Sequence, residues 1–100
     1  MNAYLDAYRP TIAVLCRKHN VKHLYLFGSV LTSRFNENSD VEMLVEFEKD
    51  QVKDYFSNFF DLKYALEEML GRDVDLVERA PISNPVFKRH VEQTKQKIYG

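Results

Sequence analysis

The first apolar pattern along the chain has the spacing of a helix. Five apolar residues recur three and four positions apart, namely Tyr4, Tyr8, Ile12, Leu15 and Cys16. This spacing predicts a helix that buries one face and runs to about His19. Pro10 lies inside the pattern, so we expect it either to kink the helix or to move the helix start to Thr11.

Three short segments have the pattern of β-strands. The apolar run at 23–27 ends at Gly28 and predicts a buried strand, with a short helix or turn at 29–35. The segment 40–47 predicts a strand with one mainly apolar face, and 73–77 predicts a third strand. Within 40–47, Val41, Met43, Val45 and Phe47 alternate with Asp40, Glu42, Leu44 and Glu46.

A long helix is predicted over about Val52–Leu70, with Gly71 as its C-terminal stop. The helix is rich in aromatic residues at near-helical spacing, and we expect them to be core rather than a nucleotide-stacking platform, with an interface as the alternative for any excess. These residues are Phe56, Phe59, Phe60 and Tyr64.

The last part of the chain contains two prolines. Pro81 and Pro85 are expected to break the chain before a helix at about Val86–Gln93, and 97–99 could be a short extended tail. The resulting order of helices and strands predicts one small α/β domain over residues 1–100.

Composition narrows the classes of function. Fourteen basic and fifteen acidic residues leave a net charge of -1, so no overall field draws the chain to nucleic acid or anionic lipid. Apolar runs such as 12–16 are far shorter than the roughly 20 residues that cross a bilayer, and we expect no membrane span. Cys16 is the single cysteine, which excludes an internal disulfide, fits the cytoplasm and favours a small core residue over a nucleophile.

Candidate chemistry lies between the first two strands. Gly28 lets the backbone approach a ligand closely, and the Ser29 hydroxyl and nearby amides can hold phosphate oxygens. Asp40 and Glu42 are two residues apart, so on a strand both side chains point to the same face. Two such carboxylates can share a divalent metal ion.

A third acid follows in the segment 73–77. If this strand pairs beside the second strand, its carboxylates join Asp40 and Glu42 on the sheet. Three acidic groups can hold two metal ions about 3.5 to 4 Å apart, and magnesium suits a shell made only of oxygen ligands.

The whole arrangement resembles the DNA polymerase beta superfamily. The pattern is an apolar strand, Gly-Ser, about ten residues, acid-x-acid, and later an acid within an apolar strand. The matching residues are Gly28, Ser29, Asp40, Glu42 and Asp75. The chain is most similar to the minimal nucleotidyltransferases of the MntA-like antitoxin family, because the likeness extends over nearly all of it.

This resemblance implies the polymerase-beta-like fold, an α/β (α+β) domain with a small mixed sheet of three to four strands and helices packed on it. It also implies transfer of a nucleoside monophosphate, with AMP from ATP as the first choice, to a hydroxyl of a protein or RNA. Gly28 and Ser29 would bind the nucleotide, while Asp40, Glu42 and Asp75 would hold two Mg²⁺ ions. Asp75, preferred over Asp73, would also help to take the proton from the hydroxyl.

Two residues depart from the family pattern. Glu42 stands where the minimal members usually have aspartate, and its extra methylene shifts the carboxylate by about a bond length, which puts turnover in question. Val30 stands where they often have a basic or polar residue, and Arg34 is the candidate replacement as a phosphate contact.

Minimal members commonly act with a small helical HEPN-domain protein, often as the antitoxin of a pair that adenylylates a tyrosine of the toxin. The resemblance therefore implies such a partner here. The alternative is a catalytically weak or inactive binding module that neutralises or scaffolds its partner, and a homo-oligomer is also open.

Simpler interpretations compete with each part of the pattern. On the strand alone, the acids fit the solvated face of a half-buried antiparallel strand, and only the joint spacing favours a site. His19, His23 and His90 lack metal-ligand spacing and receive no chemistry. A modest basic cluster near the C-terminus is typical of a solvated helix face, and an RNA contact there has no other support.

Overall fold

A computed structural model describes residues 3–78 and 84–100, which form helices on both sides of a four-stranded sheet. The helices and strands are α1 (Ala3–Asp6), α2 (Arg9–Lys18), β1 (Val21–Phe27), β2 (Val41–Phe47), α3 (Tyr55–Leu70), β3 (Val74–Glu78), α4 (Pro85–Thr94) and β4 (Gln96–Tyr99). One-turn 3-10 helices lie at Gly28–Leu31 and Lys49–Gln51. The predicted order of elements is confirmed, and the extended tail is the strand β4.

The sheet has the strand order β3-β2-β1-β4. β1 pairs antiparallel with both β2 and β4, whereas β2 and β3 are parallel and are joined through α3. The expected small mixed sheet with packed helices is therefore confirmed. In the parallel pair Val41 lies opposite Val74, and Glu42 lies opposite Asp75. This register decides which side chains meet at the end of the sheet.

The two faces of the sheet are packed differently, and we call them the covered face and the open face. On the covered face, α2 and α3 enclose the main core, which includes Leu24, Leu26, Val41, Met43, Val45, Leu62 and Leu66. The open face carries a smaller cluster of Tyr25, Phe27, Leu44 and Val91, the last of which belongs to α4. Leu44 is fully buried, so the centre of β2 is enclosed on both faces rather than half-buried as its alternation suggested.

Helix ends follow local rules. The single N-terminal helix expected to run from Tyr4 is divided into α1 and α2, because Pro10 lies in the first turn of α2, where its missing N–H removes no helical hydrogen bond. α3 begins later than expected, where the Asp54 carboxylate accepts a hydrogen bond from the Ser57 N–H. It ends at Gly71, whose φ of 68° is left-handed, as predicted.

The aromatic residues of α3 do not all enter the core. Phe59 packs against it, but Phe56 is 72% exposed and Tyr64 is 57% exposed. The expectation of core positions is wrong for these two residues. They lie instead in a row with Phe60, with ring centroids 4.8 Å apart for Phe56–Phe60 and 5.9 Å apart for Phe60–Tyr64.

Cys16 is fully buried among the helices of the covered face, as predicted for a small core residue. Burial raises the pKa of its thiol to about 12. No helix within 3–78 or 84–100 has the length and apolar character to span a membrane. Pro81, predicted to break the chain before α4, lies outside the described residues, and Pro85 begins that helix.

Candidate active site

The turn after β1 brings backbone close to a neighbouring side chain. Gly28 follows the last residue of the strand and has a φ of +76°, a left-handed conformation that glycine adopts without steric cost. A Cβ atom at this position would lie 1.5 Å from Oε2 of Glu42. The backbone conformation therefore favours glycine, and any other residue would also have to displace the Glu42 carboxylate. Buried Val30 anchors the turn from below.

Glu42 reaches from β2 into this turn. Phe27 and Glu42 are partners in the antiparallel register, so Gly28 and Ser29 begin beside the glutamate. The backbone N–H of Ser29 donates a hydrogen bond to Oε2 of Glu42 over 3.0 Å. The carboxylate therefore fills the space above Gly28 and binds the amide that follows it.

The other two predicted carboxylates lie toward the edge of the sheet. Asp75 is the register partner of Glu42 on β3, and Asp40 immediately precedes β2. Both are exposed and line a shallow depression of about 410 Å³ together with Lys63 and Glu67. The structure therefore brings the three acids to one end of two neighbouring strands, with Glu42 turned toward Ser29.

Arg72 holds the loop that carries Asp40. Its Nη1 donates hydrogen bonds to the carbonyl oxygens of Asn36 and Ser39, both over 3.0 Å. Its guanidinium lies 4.8 Å from the ring centroid of Tyr4 and 4.7 Å from that of Phe35. Cationic groups are attracted to aromatic faces at such distances, so stacking and hydrogen bonding fix the same loop.

A cleft of about 660 Å³ opens beside the Gly28 turn. It is lined by Gly28, Ser29, Leu31, Thr32, Arg34, Glu42, His90 and Thr94. Arg34 thus lies where the sequence suggested a replacement phosphate contact, while Val30 faces the core.

Sequence reasoning missed the contribution of α4 to this cleft. His90 and Thr94 are four residues apart, so they share one side of the helix. That spacing was visible in the sequence. The packing of α4 beside the Gly28 turn was not, because it depends on the return of the chain through β4 to pair with β1.

The donor set suits a hard divalent cation. Asp40, Glu42 and Asp75 offer only carboxylate oxygens, which Mg²⁺ prefers, and Glu42 and Asp75 are directly opposite each other on neighbouring strands. Within 3–78 and 84–100, no three His, Cys, Asp or Glu side chains are close enough together to hold a metal ion as they stand. Glu42 Oε2 is instead engaged by the Ser29 amide.

Comparisons with known proteins identify relatives of the chain. The family model for polymerase beta nucleotidyltransferases matches residues 11–100. A Methanocaldococcus jannaschii chain, named as a proposed protein adenylyltransferase, is 38% identical over 88 residues, which are 88% of this chain and 87% of that protein. The protein adenylyltransferase MntA of Thermococcus cleftensis is 32% identical over 74 residues, covering 74% and 72% of the two chains.

Solved structures give the same picture. A structure described as a minimal nucleotidyltransferase superposes with a TM-score of 0.76 at 32% identity, covering 92% of this chain and 90% of that one. A chain from a toxin–antitoxin complex with AMP-PNP superposes with a TM-score of 0.71 at 26% identity, covering 92% and 73%. The expected polymerase-beta-like fold is confirmed by these neighbours.

Proposed function

Because this chain belongs to the polymerase beta nucleotidyltransferase family, a family of enzymes that transfer nucleotides, we propose that it is a magnesium-dependent protein adenylyltransferase. In the proposed reaction an acceptor hydroxyl attacks the α-phosphorus of ATP. The new ester bond forms as the bond to the β-phosphate oxygen breaks, and pyrophosphate leaves. The names of the relatives, protein adenylyltransferases among them, support this choice of substrate.

One observation carries the assignment of the site. Glu42 and Asp75 lie abreast on parallel strands, next to a left-handed Gly28 turn whose Ser29 amide donates a hydrogen bond to the Glu42 carboxylate. Charged residues with a purely structural role would not require two neighbouring carboxylates beside a glycine turn. An acidic strand end beside a glycine turn is instead the arrangement that holds a negatively charged triphosphate and the cation that accompanies it.

Each residue then has a separate task. Gly28 and Ser29 would receive phosphate oxygens, and Arg34 at the rim of the cleft would neutralise their charge. Asp40, Glu42 and Asp75 would hold the two Mg²⁺ ions. When bound, these ions would supply charge neutralisation on the phosphates. Asp75 would also accept the proton of the attacking hydroxyl.

The acceptor we propose is a hydroxyl on a small helical HEPN-domain partner, with this chain acting as the antitoxin of a toxin–antitoxin pair. The likeness to a chain from a toxin–antitoxin complex supports this role. We place the reaction in the cytoplasm, where a single buried thiol such as Cys16 stays reduced.

Transfer of label from α-³²P-ATP tests the proposal. The protein is incubated with Mg²⁺ and a purified HEPN-domain protein, and we expect a labelled protein band that EDTA abolishes. Asp40→Asn should abolish the label. Asp50→Asn, an exposed acid outside the site, is the matched control and should not. Label found only on RNA would replace the protein acceptor, and no label with any acceptor would contradict the enzyme.

A second function has one observation in its favour. The Glu42 carboxylate already occupies the Ser29 amide, as expected of a domain that no longer binds phosphate there. In that case the chain would neutralise its partner by contact alone. A stable complex with the helical protein, combined with failure to bind any nucleotide in Mg²⁺, would establish this binding module.

A further inference from the structure

The Ser29 amide already binds an anionic oxygen. The donor is a backbone N–H, the acceptor is Oε2 of Glu42, and their separation is 3.0 Å. This contact shows that the turn presents its amide to a negatively charged group without any change of backbone. The occupant is a side chain of the same protein, held in place from β2.

The Glu42 carboxylate and a phosphate would compete for the same place in three ways. The Ser29 N–H carries a single hydrogen and cannot serve both acceptors at full strength. The space above Gly28 is filled, since an ideal Cβ there would lie 1.5 Å from Glu42 Oε2 and 2.6 Å from its Cδ. Both groups are negatively charged, and like charges at contact distance repel.

We infer that Glu42 makes the cleft selective for metal-bound nucleotide over free nucleotide, an inference that rests on the proposed function. A free triphosphate would have to displace the carboxylate and leave it without a partner beside further negative charge. A metal-loaded triphosphate offers the carboxylate a positive partner as it leaves the amide. The loss of the hydrogen bond between Glu42 and Ser29 is then compensated by the contact with the metal ion, and the Ser29 amide becomes available to the phosphate.

The length of the side chain is essential to this behaviour. Aspartate would end one C–C bond, about 1.5 Å, closer to the backbone. From the same strand position its carboxylate would not reach the Ser29 amide, because hydrogen bonds beyond about 3.5 Å contribute little. Glu42, which stands in place of the usual aspartate, is therefore a specificity-determining residue. The variant Glu42→Asp keeps the negative charge but removes the contact with the Ser29 amide.

Binding of α,β-methylene-ATP, which cannot be transferred, tests the inference by calorimetry in EDTA and in Mg²⁺. We expect Glu42→Asp to bind the free analogue about tenfold more tightly than the wild type, equivalent to 1.4 kcal/mol. The ratio of affinities with and without Mg²⁺ should fall correspondingly. Asp73→Asn is the matched control, since it removes an exposed charge from the same edge without touching Ser29 or the proposed metal ligands, and it should change the free-analogue affinity by less than about threefold.

The amide resonance of Ser29 gives a second, independent reading. In ¹⁵N spectra without nucleotide, Glu42→Asp should shift this resonance strongly, and Asp73→Asn should leave it near its wild-type position. The same spectra show whether each variant is folded.

The outcomes separate the two proposals. If the wild type binds the analogue in Mg²⁺ but Glu42→Asp gains nothing in EDTA, the selectivity of Glu42 is refuted and the enzyme stands. An unmoved Ser29 resonance would also refute it. If the wild type binds no analogue even in Mg²⁺, the proposed function fails and the inference falls with it.

Discussion

The covered face and the open face of one sheet differ in what their residues are for. On the covered face, two helices enclose aliphatic side chains that are almost completely buried. On the open face, α4 closes over a four-residue apolar cluster and leaves the ends of β2 and β3 exposed. The same strand β2 contributes Met43 to the first face and Glu42 to the second.

This difference shows that a single strand can place core residues on one face of the sheet and candidate site residues on the other. Side chains of successive residues point to opposite faces, so adjacent residues of β2 have different surroundings. Substitutions of buried residues should reduce the free energy of unfolding, most on the covered face, whereas substitutions of the exposed acids on the open face should reduce binding or transfer at nearly constant stability.

The largest effect should come from Asp75, the register partner of Glu42. We expect Asp75→Asn to reduce the transfer rate about 10³-fold, in the range of losing one group that stabilises the transition state. The free energy of unfolding should change by less than about 0.5 kcal/mol, since Asp75 is exposed. Label-transfer rates and urea unfolding measure the two quantities.

Asp73→Asn is the matched control for this prediction. Asp73 is also exposed and lines the same depression, but it lies just before β3 and is not opposite Glu42. Its loss should leave the rate within about threefold of the wild type, as expected for an exposed charge. Equal losses from the two variants would contradict the choice of Asp75.

The covered face should show the largest loss of stability. Leu66→Ala removes a fully buried side chain from α3, and we expect it to cost about 3 kcal/mol of unfolding free energy. Molecules that remain folded should bind nucleotide normally.

Val91→Ala makes the corresponding change on the open face. It should cost only about 1.5 kcal/mol, because two carbon atoms are lost rather than three. It should nevertheless weaken nucleotide binding, since α4 carries the cleft residues His90 and Thr94. Equal effects of the two variants on binding would remove the distinction between the faces.

Arg72 joins Tyr4 of α1 to the loop before Asp40, and Arg72→Ala should affect both stability and transfer moderately. We expect a loss of about 1–2 kcal/mol from its hydrogen bonds and aromatic contacts. The transfer rate should fall about tenfold, because the loop before Asp40 loses its anchor. Thermal unfolding and label transfer measure the two effects.

Arg72→Lys keeps the charge but cannot reproduce the planar fork between Tyr4 and Phe35. It should therefore recover only part of the rate. Full recovery by lysine would show that the charge alone matters.

The smallest effect concerns Cys16 at high pH. Burial raises the thiol pKa to about 12 in the folded protein, from 9.0 as its ordinary value. Between these values the unfolded chain loses the proton that the folded chain keeps, so stability is complete below pH 9 and falls as pH rises. We expect a loss of about 1 kcal/mol by pH 10 from this thiol.

Urea unfolding at pH 8 and pH 10 measures the effect, and Cys16→Ala is the comparison. The alanine variant has the same tyrosines and lysines. The change in unfolding free energy between pH 8 and pH 10 should therefore differ between the two proteins only by the contribution of the thiol. An identical change in both proteins would contradict the prediction.

Much of the fold could be predicted from local signals. The alternation in 40–47 predicted β2, and Gly71 marked the end of α3, because both depend on short-range geometry. Packing between distant elements was harder to predict. Phe56 and Tyr64 have the spacing of a buried stripe, yet the covered face is filled without them, and nothing local reveals how wide the buried stripe is.

The candidate site was predictable in its residues and not in its contacts. Gly28, Ser29 and Glu42 follow from the spacing of the motif, and the parallel register of β2 with β3 places Asp75 opposite Glu42. Their metal-binding and catalytic roles remain predictions. The hydrogen bond from the Ser29 N–H to the Glu42 carboxylate could not be predicted, since it depends on how far the glutamate side chain extends into the folded turn.

The collision between a Cβ at position 28 and Glu42 also couples these two positions in mutational terms. Any side chain at 28 costs more while glutamate stands at 42, so the two substitutions should be epistatic rather than additive. The left-handed backbone adds a strain that no change at 42 relieves. Replacement of Gly28 should therefore cost less after residue 42 has been shortened.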